Sequence, residues 1–158
     1  MPATKVTTIH TFKVALPGNK KVWRRIAVGG NQTLDHLHKA IFKAFDRFDE
    51  HLYSFYVAKP GKRGREAMRD ADEYSHPGAL GGPFDDGRRG NAKKTRLDDL
   101  GLQVGQRLYY LFDFGDEWWH EITVEATDGQ PQPGRYPRLL ESRGDSPEQY
   151  ELLDNNDE

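Results

Sequence analysis

The sequence predicts an α+β fold: a β-grasp-like mixed sheet with one main covering helix, two short helices and a long inserted loop. Three observations carry this. Apolar residues alternate over residues 6–28 on either side of a turn-forming stretch. One strong apolar stripe at helical spacing follows over 33–48, and alternating segments return at 108–125. A helix between strand pairs has one apolar stripe, which is buried by covering one face of their sheet.

In the first hairpin Phe12, Val14 and Leu16 alternate, as do Val22, Ile26 and Val28 with Arg24 between them. A period of two puts each set on one sheet face. Pro17-Gly18-Asn19-Lys20 supplies the turn, and Gly29-Gly30-Asn31 stops the second strand. Thr33 reads as an N-cap, with Asp35 in the first turn where a negative charge suits the helix dipole. Leu34, Leu37, Ile41, Phe45 and Phe48 form the stripe. At about 1.5–3 kcal/mol per fully buried large side chain, it is expected to dominate the core. His38 borders the stripe, while His36 points roughly 200° away and cannot share a metal with it. Residues 51–57 alternate as a strand, with Leu52, Phe55 and Val57 expected to be buried.

Residues 58–96 differ. They hold seven of the 16 glycines, three of the nine prolines, and ten basic residues against six acidic ones. Met68, Leu80 and Phe84 are the large apolar anchors. A flexible insertion is expected here, with a short charged helix within 64–73. Thr95 and Asp98 have capping-box spacing, and Gly101 suits the residue after a helix end, so one or two turns are expected around Leu97 and Leu100. Residues 108–114 and 117–125 read as strands joined at Gly115-Asp116. Ser146-Pro147 with Gln149 would start a short final helix, with Tyr150 and Leu153 facing the body. An acidic tail at 154–158 would fray. The chain, 1–158, reads as a single domain.

Composition narrows the function. With no cysteine, a disulfide scaffold, a thiol nucleophile and a Cys-ligated zinc site are excluded. A net charge of −2 excludes a wholly basic nucleic-acid binder, though not a local basic patch. No apolar run reaches spanning length, so no membrane partner is expected. The first ten residues lack the apolar core of a signal segment, and a cytoplasmic address is expected.

The segment 108–125, LYYLFDFGDEWWHEITVE, is the most unusual. With Gly115-Asp116 as a two-residue loop, Asp113 faces Trp118 and Leu111 faces His120. Tyr109, Leu111, Asp113, Trp118, His120, Ile122 and Val124 then share one face, and Asp113 and His120 are diagonal neighbours about 7–8 Å apart. Asp113, Asp116, Trp118, His120 and His51 are therefore the candidate functional cluster. Their carboxylates and imidazoles suit Zn, Mn or Fe, and a metal-bound water would make a hydrolase. The favoured reading is structural and needs no cofactor: Asp113 accepts from His120, and Asp116 bonds the turn backbone. Lys20, Lys21, Arg24, Arg25, Arg88 and Arg89, with Lys93, Lys94 and Arg96, are candidate nucleic-acid contacts, and Trp23, Tyr53 and Trp119 candidate base stackers. Against this stands a solvated charged face, with Arg24 paired to a C-terminal acid.

Several motifs together look familiar. They are Val22-Trp23-Arg24-Arg25-Ile26, Thr33-Leu34 with Leu37-His38, His51-Leu52 with Phe55, and Tyr110-Leu111-Phe112-Asp113-Phe114-Gly115-Asp116 with Trp118, His120 and Ile122. In these the chain resembles the plasmid ORF-three-like family, first met on a root-inducing plasmid of Agrobacterium. Some members are labelled transposon passenger proteins or "TnpR" resolvases. The resemblance covers residues 8–140 and implies an α+β domain with no established activity. The resolvase label does not survive the residues. No serine precedes Ser54, no DNA-binding helix pair follows, and the large helical domain of a tyrosine recombinase does not fit this chain. The expected function is a non-enzymatic cytoplasmic interaction or accessory module with a protein partner. The alternatives are a nucleic-acid-binding accessory and a small metal-dependent hydrolase.

Overall fold

The computed structural model describes residues 8–149. Its strands are β1 (Ile9–Leu16), β2 (Asn19–Gly29), β3 (Tyr53–Val57), β4 (Asp72–Ser75), β5 (Gly90–Asn91), β6 (Arg107–Phe112), β7 (Trp118–Gly129) and β8 (Arg138–Arg143). The helices are α1 (Leu34–Ala44) and α2 (Gly64–Arg69), with tight helical turns at Pro77–Ala79 and Leu97–Leu100. One sheet runs in the order β5-β4-β3-β6-β7-β1-β2-β8. Neighbours are antiparallel except for β4 and β5, which make it mixed. The fold is α+β with one main helix, as the sequence predicts.

The first hairpin turns at Pro17-Gly18, with Leu16 opposite Asn19. α1 starts at the predicted cap: the Thr33 hydroxyl accepts from the His36 amide at 3.3 Å, and His36 Nδ1 accepts from the Thr33 amide at 3.0 Å. Exposed His36 thus completes a capping box usually closed by Glu or Gln. Leu34, Leu37, Ile41 and Phe45 bury their stripe against Phe12, Val14, Ile26, Tyr53, Phe55 and Tyr110. The helical turn at Leu97 lies beside the segment that leads into α1: the Leu97 and Asp98 amides donate to the Gln32 and Gly30 carbonyls. At Gly30 a Cβ would lie 2.3 Å from an Asp98 carboxylate oxygen and 2.7 Å from the Thr8 hydroxyl, so a larger residue would have to displace both side chains. The turn is capped by Asp99, which accepts from the Arg96 amide, rather than by the Thr95 and Asp98 pair.

Several expectations are corrected. Phe48 is not core: it is 72% exposed. α1 stops at Ala44, and Asp46 takes a left-handed φ of 56°. The chain turns there, and Arg47 goes inward in its place. Leu52 lies at the exposed edge before β3, while Phe55 and Val57 are buried as expected. The stretch 58–96 carries α2, β4 and β5, which extend the sheet beyond β3. α2 packs Ala67 and Met68 with Tyr109 and Trp119, in a second small core on the face away from α1. Strand β8 was not legible as a strand, and residues 146–149 form no helix. Tyr150, Leu153 and the acidic tail lie outside the described residues.

Within the insertion, Phe84 is 99% exposed and the Arg88 side chain 89% exposed. The stretch around these two residues lacks buried anchors, so an ordering cost of about 1–2 kcal/mol per residue has little to offset it there. Limited trypsin digestion should therefore cut first at Arg88, well before any site within Leu34–Ala44, as read by mass spectrometry of the first fragments.

Candidate functional site

The β6–β7 hairpin decides where the candidate residues lie. Its register is Phe112 with Trp118, Leu111 with Trp119 and Tyr110 with His120, one residue away from the two-residue-loop expectation. The connection is longer, running from Asp113 to Glu117. Both ends adopt left-handed φ values of 66° and 55°, and the Glu117 amide donates to the Asp113 carbonyl at 2.7 Å. The one-residue slip exchanges faces. Leu108, Tyr110, Phe112, Trp118, His120, Ile122 and Val124 turn toward α1, whereas Tyr109 packs toward α2. Tyr109 therefore leaves the predicted face, Leu111 goes with it by alternation, and Asp113 sits in the turn.

Asp113 and His120 do not pair. Asp113 Oδ1 accepts from the amides of Gly115 and Asp116 at 3.0 and 3.3 Å, the turn-bonding role expected of Asp116. Its Oδ2 lies 3.5 Å from His51 Nε2. His120 is buried behind Trp118, with Nε2 3.2 Å from an Arg47 Nη2 and Nδ1 3.3 Å from the Tyr110 carbonyl. A guanidinium only donates, so Nε2 accepts and the proton sits on Nδ1. Asp116 stays exposed in the turn. The structure thus joins the Asp113 and His51 side chains, leaves the Asp116 side chain in solvent although its amide bonds Asp113, and places His120 with Arg47 instead. Among the described residues, no three His, Cys, Asp or Glu side chains converge to hold a metal ion.

The nucleic-acid surface is dispersed in the same way. Arg24 is 4% exposed and donates to the carbonyls of Trp23, Ala44 and Arg143 and to the Ser146 hydroxyl, rather than to a C-terminal carboxylate. Arg25 pairs with Glu125 and Glu141, and Lys20 with Glu121. Arg88 pairs with Asp86, and Arg89 with Glu73 and Asp85. Lys21 remains an exposed cation. Tyr53 is fully buried and cannot stack a base, Trp23 lies under Lys13 and Arg25, and Trp119 packs on Tyr56.

A different site emerges where three distant segments meet. Asp35, His38 and Lys39 of α1, the Glu50-His51-Leu52 loop, and His76 and Lys93 of the insertion line an open cleft of about 530 Å³. Beneath it runs a buried polar network. The Tyr53 hydroxyl donates to Asp35 at 2.5 Å, and His38 Nδ1 lies 2.5 Å from the Tyr110 hydroxyl. The His38 ring stacks on Tyr53 at 4.0 Å, and its Nε2 faces Glu50 at 3.5 Å. Burial raises the Asp35 carboxyl, but the Tyr53 hydroxyl and the charges of His38 and Lys39 more than offset it, and its pKa is lowered. Burial holds His38 down to about 4 and His120 to about 3, with Arg47 adding to the effect on His120. Alternation and spacing marked none of this. Asp35 read as a dipole partner and His38 as a border residue, because the network needs Tyr53 and Tyr110 from strands far along the chain.

Arg47 is the other residue that sequence reasoning missed. Its guanidinium lies 4.6 Å from the Trp118 ring centre, and it donates to the Phe45 carbonyl. Nearby, Gln149 Oε1 accepts from the Phe48 and Asp49 amides, and its Nε2 donates to the Asp49 carbonyl. This clasps the cleft loop to the C-terminal strap.

A family model described as plasmid pRiA4b ORF-3-like protein matches residues 8–150. The chain belongs to this family. This ORF-3-like chain is 30% identical over 145 residues to the uncharacterized protein y4hQ of Sinorhizobium fredii, covering 90% of its own length and 62% of that relative. It thus spans less than two thirds of the relative's length. It superposes on a crystal structure of a protein of unknown function, MM3350 from Methanosarcina mazei Go1, with a TM-score of 0.72. That match covers 92% of this chain and 74% of the other at 24% identity, which establishes a shared fold. The family resemblance read from the sequence is borne out. No helix among the described residues is long and apolar enough to cross a membrane.

Two expected outcomes follow from this geometry. His38 and His120 have folded pKa values below their unfolded value of 6.5. Their stabilisation is full above pH 6.5 and is lost as pH falls toward 4 and 3. At about 1.4 kcal/mol per unit, His38 accounts for up to about 3 kcal/mol. Urea unfolding at pH 7 and pH 4.5 should show a steep loss in the wild type and a shallower one in His38→Asn. The Asp113 carboxylate mainly accepts turn amides, a role an amide oxygen fills in a left-handed residue. Asp113→Asn should therefore cost less than about 1 kcal/mol, and Asp113→Val about 2–3 kcal/mol from lost bonds and a strained φ, both measured by chemical denaturation.

Proposed function

We propose that this chain is a non-enzymatic interaction or accessory module of the cytoplasm, and that it meets a protein partner at the cleft between α1 and the insertion. The observation carrying this is how the cleft's acid–base groups are committed. Asp35 is held by Tyr53 and Lys39, His38 by Tyr110 and Glu50, and His51 faces Asp49 and Asp113. His76 Nδ1 accepts from the Gly78 amide. Catalysis by proton transfer needs such a group turned toward a reactant. Here they brace the floor, while the Lys39 ammonium, the Glu50 carboxylate and the half-exposed Leu52 are left at the rim. A rim of both charges around an apolar residue suits a protein segment. The nucleic-acid reading is weaker, because five of its nine candidate cations are buried or paired with acids and the exposed ones are divided between the first hairpin and the insertion. The family's plasmid-derived description agrees with an accessory role.

The test has three arms on the full chain. Thermal melts in Zn²⁺, in Mn²⁺ and in chelator should coincide. Retention on immobilised duplex DNA should be negligible at low salt. Crosslinking in cell extract should yield a protein adduct that the double variant Lys39→Glu, Lys93→Glu loses, with a thermal melt of the variant showing that it is still folded. A ligand that binds only the native state adds about 2.7 kcal/mol at a hundredfold excess over its Kd. A metal-dependent rise of that order would reinstate the hydrolase, and salt-sensitive DNA retention would reinstate the nucleic-acid accessory.

A further inference from the structure

The sheet ends in two unequal edges. β5 contributes two residues, while β8 runs for six at the far side and pairs with β2 alone. An edge strand turns alternate N–H and C=O groups outward, a template for another strand unless it is blunted. The pairing shifts between Arg25 and Ile26, leaving Leu140 as an extra residue, and both Leu139 and Leu140 stay 50% exposed.

Beside β8, on the α1 side, runs a groove of about 680 Å³. Ala40, Ala44 and Leu139 give it apolar walls, and Lys43, Arg135 and Arg138 give it charge. Among the described residues none of these three cations has a carboxylate within ion-pair distance. Arg138 donates to the carbonyls of Gln132, Pro133 and Arg135 and stacks on Tyr136, so its position is fixed while its charge is unmatched. The two acids of the groove, Asp46 and Asp145, act on buried Arg24. In the first hairpin and the insertion, by contrast, Lys20, Arg25, Arg88 and Arg89 have acids of their own.

We propose that β8 and this groove dock an extended acidic segment of a protein partner, added to the sheet as a ninth strand. Its backbone pairs with the outward groups of β8. Its acidic side chains reach Lys43, Arg135 and Arg138, and its apolar residues cover Leu139 and Leu140. Strand addition draws affinity from main-chain hydrogen bonds and specificity from alternate side chains, which matches an edge bearing both charge and leucine. The site shares no residue with the cleft between α1 and the insertion, so it stands or falls independently of that one.

The experiment uses the full chain and a fluorescein-labelled peptide of alternating Glu and Val, read by fluorescence anisotropy. Saturable binding is expected. Arg135→Glu, at an exposed position, and Leu140→Asp should each weaken it about tenfold or more, while Lys39→Glu in the cleft leaves it unchanged. The same peptide N-methylated at alternate residues keeps its charges but cannot pair as a strand, and it should not bind. Absence of saturable binding would overturn the proposal. So would equal binding of the N-methylated peptide or of a Lys-Val peptide, or tighter binding of a duplex oligonucleotide than of the Glu-Val peptide. Melting temperatures of each variant separate loss of the site from loss of fold.

Discussion

Two polar side chains on the buried face of α1 constrain much of this molecule. Asp35 and His38 are one turn apart, and both are turned toward the sheet rather than toward water. A buried carboxylate and a buried imidazole each cost several kcal/mol unless hydrogen-bonded. The sheet meets them with two tyrosines from adjacent strands, Tyr53 on β3 and Tyr110 on β6. That requirement helps fix how far α1 lies along the sheet and which face of β6 turns inward. It also opens the cleft, because Glu50, His51 and His76 gather around the same ring stack.

The same logic bears on the β6–β7 hairpin. Tyr110 is opposite His120, and both face the helix, so His120 needs a donor on the core side. Arg47 provides it. Its own charge is accommodated by the aromatic faces of Phe45 and Trp118 and by the Phe45 carbonyl, with no carboxylate of the described residues within ion-pair distance. Burial lowers its pKa to about 10, which still leaves it protonated at neutral pH. A cation under Trp118 and beside a neutral imidazole is a specific arrangement, since a charged His120 would face that cation directly.

What the sequence disclosed and what it withheld follow from how local each signal is. The Thr33 cap, the stripe through Phe45 and the Pro17-Gly18 turn are decided within a few residues, and they were legible. The register of the second hairpin was not. LYYLF is apolar on both faces, because both faces of β6 are covered, so alternation carried no parity. The Gly115-Asp116 pair suggested the shortest loop, whereas Asp113 and Glu117 both accept left-handed backbone and lengthen it. Phe48 matched the helical period, but the helix ended at Ala44 and gave its inward place to Arg47. β8 has consecutive leucines between charges and offers no period at all. The cleft draws on residues 35–39, 50–52, 76 and 93, and its convergence exists only once the sheet has formed.

The Gln149 clasp ties together parts of the chain about a hundred residues apart. One side chain satisfies two amides and a carbonyl of the loop that leads to Glu50 and His51. Its carbonyl meanwhile accepts from the Trp118 indole. The residue acts as a splint between the β6–β7 hairpin, the cleft wall and the chain leaving β8. Loss of the Gln149 carboxamide would remove three of the bonds that hold this loop, so the shape of the cleft wall depends in part on a residue that lies outside the cleft and far along the chain.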